Sequence, residues 1–244
     1  MSLQSSTYSP SAWMPLLPAL LLASCNLSPV DDRFDDSGEL IALSGSDAGP
    51  QAACHTCHGL DGGGDGDLVP RIAGMDPGYI VRQLGFYADG QRRHPQMSWL
   101  AARLSSEERL AVAQYYADMD IPIADAVTTD APGSPDADPT CLSAAARRLY
   151  HLGDPSRGLA SCASCHGADG TGVGQGNPSL IGQSAAYHAE QLRRWRAGER
   201  YGDPKGVMHD AAAALRADEI NPLSEYIAYG PVQSRRREFQ AECP

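Results

Sequence analysis

Apolar residues recur along this chain at spacings of three and four, and no segment alternates long enough to make a strand. That periodicity predicts an all-α protein. Ala185, His188, Leu192 and Trp195 place one helix over 184–197, and Ala144 to Leu152 forms another that stops at Gly153. Ser105 stands three residues before Glu108, the spacing of a capping box, and opens a helix whose Leu110, Ala113, Tyr116 and Ala117 share a face. A last helix is expected from about 217 to 229, with Pro222 in its first turns. The apolar stretch from Trp13 to Ser24 is too short to span a bilayer, and has the length of a signal-peptide core.

The pattern occurs twice. His58 and His166 lie 108 residues apart, and the same offset pairs Pro70 with Pro178, Tyr79 with Tyr187, Gln83 with Gln191 and Arg92 with Arg200. Beyond Arg92 the offset becomes 111, pairing Met97 with Met208, Leu104 with Leu215 and Tyr115 with Tyr226; three extra residues around Gly202-Asp203-Pro204 account for the change. The Pro- and Asp-rich segment 127–140 has linker composition. The chain therefore divides into a signal peptide (1–24), an acidic tether (25–38), a first domain (39–126), the linker (127–140) and a second domain (141–244).

Charge narrows the partners. The formal net charge is −11, which excludes nucleic acid because nothing could neutralise a run of phosphates. Residues 26–125 carry a net −9 and residues 126–244 a net −2, a dipole suited to orienting a docking partner with a basic patch.

The chemistry comes from the cysteines. Two signatures, Cys54-His55-Thr56-Cys57-His58 and Cys162-Ala163-Ser164-Cys165-His166, match the attachment site of c-type haem. Two residues between the thiols let both reach the vinyl groups on one edge of the porphyrin, and the adjacent histidine ligates the iron. A zinc site would need four ligands around one ion, and a thioredoxin-like motif would need a preceding strand. Neither explains a histidine in both copies.

His58 and His166 each leave the iron's other face to be filled. Met97 and Met208 occupy one repeat position before the final helix, in what reads as a loop, and a thioether there closes the site for electron transfer. Met75 and Met119 have no methionine mate and read as packing residues; His94 and His209 flank the methionines but are not repeat-equivalent. Tyr79, Tyr187, Gln83, Gln191, Arg92 and Arg200 read either as donors to haem propionates or as solvated helix surface.

Pro70 and Pro178 follow their histidines by 12 residues, as in small class I cytochromes c, whose proline carbonyl accepts the imidazole Nδ1–H. With the haem motifs, the Tyr-x-x-x-Gln-Leu segments at 79–84 and 187–192 and the late methionine, the chain resembles the dihaem cytochrome c4 family over roughly 39–230. That resemblance implies tandem class I cytochrome c domains facing each other about a pseudo-twofold axis. It implies two covalently bound haem c groups, and single electrons passed from a quinol–cytochrome c reductase or dehydrogenase to a terminal oxidase or reductase.

Leu22-Ala23-Ser24-Cys25 resembles a bacterial lipoprotein box, which implies acylation of Cys25 and a periplasmic protein held to a membrane by lipid. The alternative is an ordinary cleavage nearby. Haem attachment implies an oxidising compartment, and Cys141 and Cys243, at the two ends of the second domain, are then expected to pair; unpaired thiols or an intermolecular bridge are the alternatives. The leading function is an electron carrier with no catalytic residue. Its rivals are a cytochrome subunit of a larger dehydrogenase and a dihaem oxidoreductase such as a thiosulfate dehydrogenase.

Overall fold

The computed structural model describes residues 37–121, 144–173, 176–203 and 205–233. The signal segment, Cys25, the tether up to residue 36, the linker 127–140, Cys141 and Cys243 lie outside the described residues.

The first copy contains α1 (Gly38–Ser44), α2 (His55–His58), α3 (Pro77–Ala88), α4 (Pro95–Ala101) and α5 (Ser106–Ala117). The second contains α6 (Ala144–Leu152), α7 (Ala163–His166), α8 (Ala185–Arg196), α9 (Val207–Ala214) and α10 (Ala217–Gln233). No β-strand forms among the described residues. Tether and helix meet earlier than the sequence suggests: Ser37, assigned to the tether, caps α1 by accepting the Leu40 N–H.

Local sequence accounts for where these helices begin. Asp76 caps α3 through the Tyr79 N–H at 2.7 Å, with Pro77 at the first helical position. Ser184 caps α8 through the Tyr187 N–H at 3.0 Å. Both halves of the α5 capping box form, Ser105 accepting from Glu108 N–H at 3.1 Å and Glu108 accepting from Ser105 N–H at 2.7 Å. Such caps satisfy backbone donors that the helix leaves open and contribute about 1 kcal/mol each.

In each copy the terminal helix is the hub. In the first, α5 packs on α1 and α3; in the second, α10 packs on α6 and α8. The repeat is kept in the burial pattern: Ala101 and Ala212 are both 0% exposed, and Leu104 and Leu215 both 4%. The buried face of α5 differs from the one its spacing suggests. Val112, Ala113 and Tyr116 form the buried stripe of α5, while Leu110 points out at 57% exposure. At 100° per residue, Val112, Ala113 and Tyr116 span one face, and Leu110 falls more than 90° from that stripe's centre. At the opposite helix, α1 comes so close to α5 that a Cβ on Gly38 would meet the Ala111 carbonyl well inside van der Waals contact.

The two copies meet through repeat-matched residues. Arg92 donates to Tyr187 Oη at 3.1 Å and to Gln191 Oε1 at 2.9 Å, and Arg200 donates to Tyr79 Oη at 3.0 Å. A reciprocal exchange of this kind is the signature of a twofold relation, in which residue i touches j and j touches i. These residues are therefore not solvated helix surface. Arg92 is 7% exposed and also donates to Gln83 Oε1 within its own copy, at 2.6 Å.

Candidate haem sites

Each haem motif forms a single helical turn, with the first cysteine at its N-cap and the histidine at its end. His58 and His166 are 7% and 8% exposed, and burial pushes both imidazoles below their ordinary pKa. They are thus neutral at physiological pH, with a lone pair to give. Cys54 and Cys162 are pushed up to about 11, chiefly by burial. None of the four motif cysteines is bridged to another.

A glycine-rich loop then returns to hold the histidine. Gly64 N–H donates to the His58 carbonyl at 2.9 Å, and Gly172 N–H to the His166 carbonyl at 2.8 Å. Both glycines have positive φ, and a Cβ at either would run into the backbone of the returning segment, at Val69 or Asn177. Only glycine fits at these two equivalent places. The return brings a proline carbonyl to each imidazole: His58 Nδ1 lies 2.8 Å from Pro70 O and His166 Nδ1 lies 2.9 Å from Pro178 O. A carbonyl only accepts, so Nδ1 carries the proton and Nε2 presents its lone pair.

His58 and α4 line one cavity. The cavity, of about 450 Å³, is lined both by Cys54, Cys57 and His58 of the motif and by Pro95, Met97 and Leu100 of α4. Met97 and Met208 sit in the first turns of α4 and α9, not in loops as the sequence suggested. A proline opens α4, and side chains cap the methionines' own N–H groups: His94 Nδ1 accepts from Met97 at 3.3 Å, and the Asp203 carboxylate accepts from Met208. The three-residue insertion of the second copy supplies that carboxylate. His94 and His209 are engaged with the backbone, His209 Nδ1 at 2.9 Å from Trp195 O. Met75 is buried and Met119 packs on the same core, as filler residues do.

Covalent haem fits these residues. The cavity offers two thiols, an imidazole and a thioether, and among the described residues no cluster of His, Cys, Asp and Glu suits a bare metal ion. Buried cations point the same way. Arg71 is 1% exposed, with Nε and Nη2 unpartnered, and Arg200 Nε is also buried without a partner. Burial pushes the Arg71 pKa down to about 10, so the side chain remains charged and needs an anion. Haem carboxylates are anions of that class. Arg71 escaped the repeat comparison because its mate is Ser179.

Two helical copies, each with this motif, proline and methionine, define a dihaem c-type cytochrome. A family model described as cytochrome c matches residues 156–230. The chain is 35% identical to a cytochrome c4 of Thiocapsa roseopersicina, over 74% of this chain and 88% of that protein. It is 37% identical to the thiosulfate dehydrogenase electron acceptor of Thiomonas intermedia (strain K12), over 76% of this chain and 82% of that one. Among solved structures it is similar to a thiosulfate dehydrogenase (TsdBA) from Marichromatium purpuratum, with a TM-score of 0.67 and 37% identity. That match covers 80% of this chain and 40% of the other.

The chain belongs to the cytochrome c4 family. It is an electron-transfer protein carrying two covalently bound haem c groups.

Proposed function

We propose that this protein is a periplasmic carrier that takes single electrons from a thiosulfate dehydrogenase and passes them to a terminal oxidase or reductase. The observation that carries the reading is the single cavity lined by both His58 and Met97, a pair repeated in sequence by His166 and Met208. In this reading Cys54 and Cys57 hold the first haem and Cys162 and Cys165 the second. His58 and Met97, and His166 and Met208, are the iron ligands, and Pro70 and Pro178 orient the imidazoles.

The haem iron supplies the one-electron couple. The chain's residues keep it to that role. The Nδ1–H bonds fix both tautomers, and burial keeps both imidazoles unprotonated. The Met97 and Met208 thioethers would complete the iron's ligand sets, which favours electron exchange over substrate chemistry. The donor is suggested by the relatives named as electron acceptors of thiosulfate dehydrogenase. A second reading, a subunit held permanently to its dehydrogenase, is favoured by the TsdBA chain, of which the matched part makes up 40%.

The test is a stopped-flow titration of the oxidised protein with a thiosulfate dehydrogenase and thiosulfate. Reduction of both haems at a rate that saturates with carrier concentration supports the carrier, and a tight complex surviving purification supports the subunit. No reduction under either condition removes this donor.

The anchoring and the domain boundaries belong to the same reading. Acylation of Cys25 would hold the carrier beside a membrane, and the residues between it and Ser37, the cap of α1, would be its tether; Cys25→Ser is expected to move the protein to the soluble fraction or leave it unprocessed. The linker 127–140 would join a first domain that begins at the Ser37 cap and ends near 126 to a second over 141–244. A Cys141–Cys243 disulfide would close the second domain, and non-reducing peptide mapping is expected to recover the two cysteines in one linked species.

A further inference from the structure

We propose that Gln183, a residue of the second copy, is a positioning residue for the first haem: its carboxamide polarises the peptide that holds His58, and so lowers that haem's reduction potential relative to one without this bond. The proposal rests on His58 being the iron ligand.

The geometry is a continuous chain of hydrogen bonds through one peptide unit. His58 Nδ1–H donates to the Pro70 carbonyl at 2.8 Å, and the N–H of that same peptide, on Arg71, donates to Gln183 Oε1 at 2.9 Å. The other end of the carboxamide closes the clamp, Gln183 Nε2 donating to the Arg71 carbonyl at 2.6 Å. His58, Arg71 and Gln183 are 7%, 1% and 6% exposed, so water competes for none of these bonds. Hydrogen bonds in series polarise one another when buried. An N–H that gives its proton to Gln183 makes its own peptide carbonyl a better acceptor for His58. A stronger bond at Nδ1 makes the imidazole a stronger donor through Nε2. That stabilises the oxidised iron more than the reduced.

The second haem has no such brace. The repeat mate of Gln183 is Met75, whose sulfur has no amide to give and instead lies 3.9 Å from Gln183 Nε2. No bond from the described residues of the first copy reaches the Pro178–Ser179 peptide, and His166 Nδ1 lies 2.9 Å from its carbonyl. The two haem sites, alike in ligands, thus differ in whether a side chain from the other copy braces the peptide that holds the histidine.

The experiment pairs potentiometry with NMR of the reduced, diamagnetic holoprotein, comparing wild type with Gln183→Met, the residue of the mate position. In the variant the first haem's midpoint potential is expected to rise while the second stays. The His58 Nδ1–H resonance should move upfield and exchange faster, with His166 unchanged. An unmoved His58 resonance, or equal changes at His58 and His166, would overturn the proposal, the latter marking a general loosening of the interface. Should Gln183→Met fail to fold, the wild type decides: His58 Nδ1–H must resonate further downfield than His166 Nδ1–H, and equality or the reverse order refutes the coupling. The near-infrared band of His–Met haem checks the ligands separately; its absence from the wild type would remove the ligand assignment, whatever the NMR shows.

Discussion

The Arg92 guanidinium donates to the Tyr187 hydroxyl across the interface, and their repeat mates return the contact, Arg200 donating to Tyr79. Arg92 is buried and also holds Gln83 and Gln191. Replacing it by Met strands three acceptors, each costing about 1 kcal/mol or more. We expect Arg92→Met to lose roughly 2–4 kcal/mol in urea denaturation. Arg92→Lys should recover only part of that, because an ammonium cannot reproduce the planar fork.

Met97 and Met208 are predicted to contribute equally to the near-infrared band of the oxidised protein. Met97→Ala and Met208→Ala should each remove about half of it, while the covalent haem content, measured by pyridine haemochrome, stays at two per chain. A band that survives either substitution intact would take that methionine out of the ligand set.

His188 gives the protein an acid-sensitive stability. Burial pushes its imidazolium pKa down to about 4. The unfolded value is about 6.5. Between those values the unfolded chain binds a proton that the folded chain refuses, so stability falls as pH falls from about 6.5 to 4. The loss is up to roughly 3 kcal/mol. His188→Ile, the residue of its mate Ile80, should flatten that slope in denaturation curves taken across the same range.

Two glycines should respond in opposite directions. Gly38→Ala drives a methyl into the Ala111 carbonyl where α1 crosses α5, and should destabilise by about 2 kcal/mol or more. Gly85, inside α3, has open space where its Cβ would be. Gly85→Ala should therefore stabilise by about 0.5–1 kcal/mol, through helix propensity alone. Thermal melts of the two variants provide the check.

Much of this was legible because it is local or repeated. The capping box at Ser105 and Glu108, the helix over Ala144–Leu152 and the histidine-to-proline spacing involve residues near in sequence, and they appear where the chain places them. Duplication supplied the rest by matching positions. It also limited what could be seen. Arg71, Gln183 and His188 have mates of different chemistry, Ser179, Met75 and Ile80, so comparing copies passed over them. The placement of Met97 and Met208 was missed because their helices are short and begin from caps, His94 and Asp203, that differ between the copies. That Tyr79, Gln83 and Arg92 lie at an interface depends on docking between copies, which no periodicity within one copy encodes.

The clamp of Gln183 on Arg71 makes the halves of this molecule no longer interchangeable. A chain assembled from two first copies would set Met75 against Arg71, leaving a buried peptide N–H and C=O without their partner. One assembled from two second copies would offer Ser179 in place of Arg71 and lose a buried cation. The present chain is a pair of complementary halves, and carrying both on one chain supplies Gln183 and Arg71 in equal number.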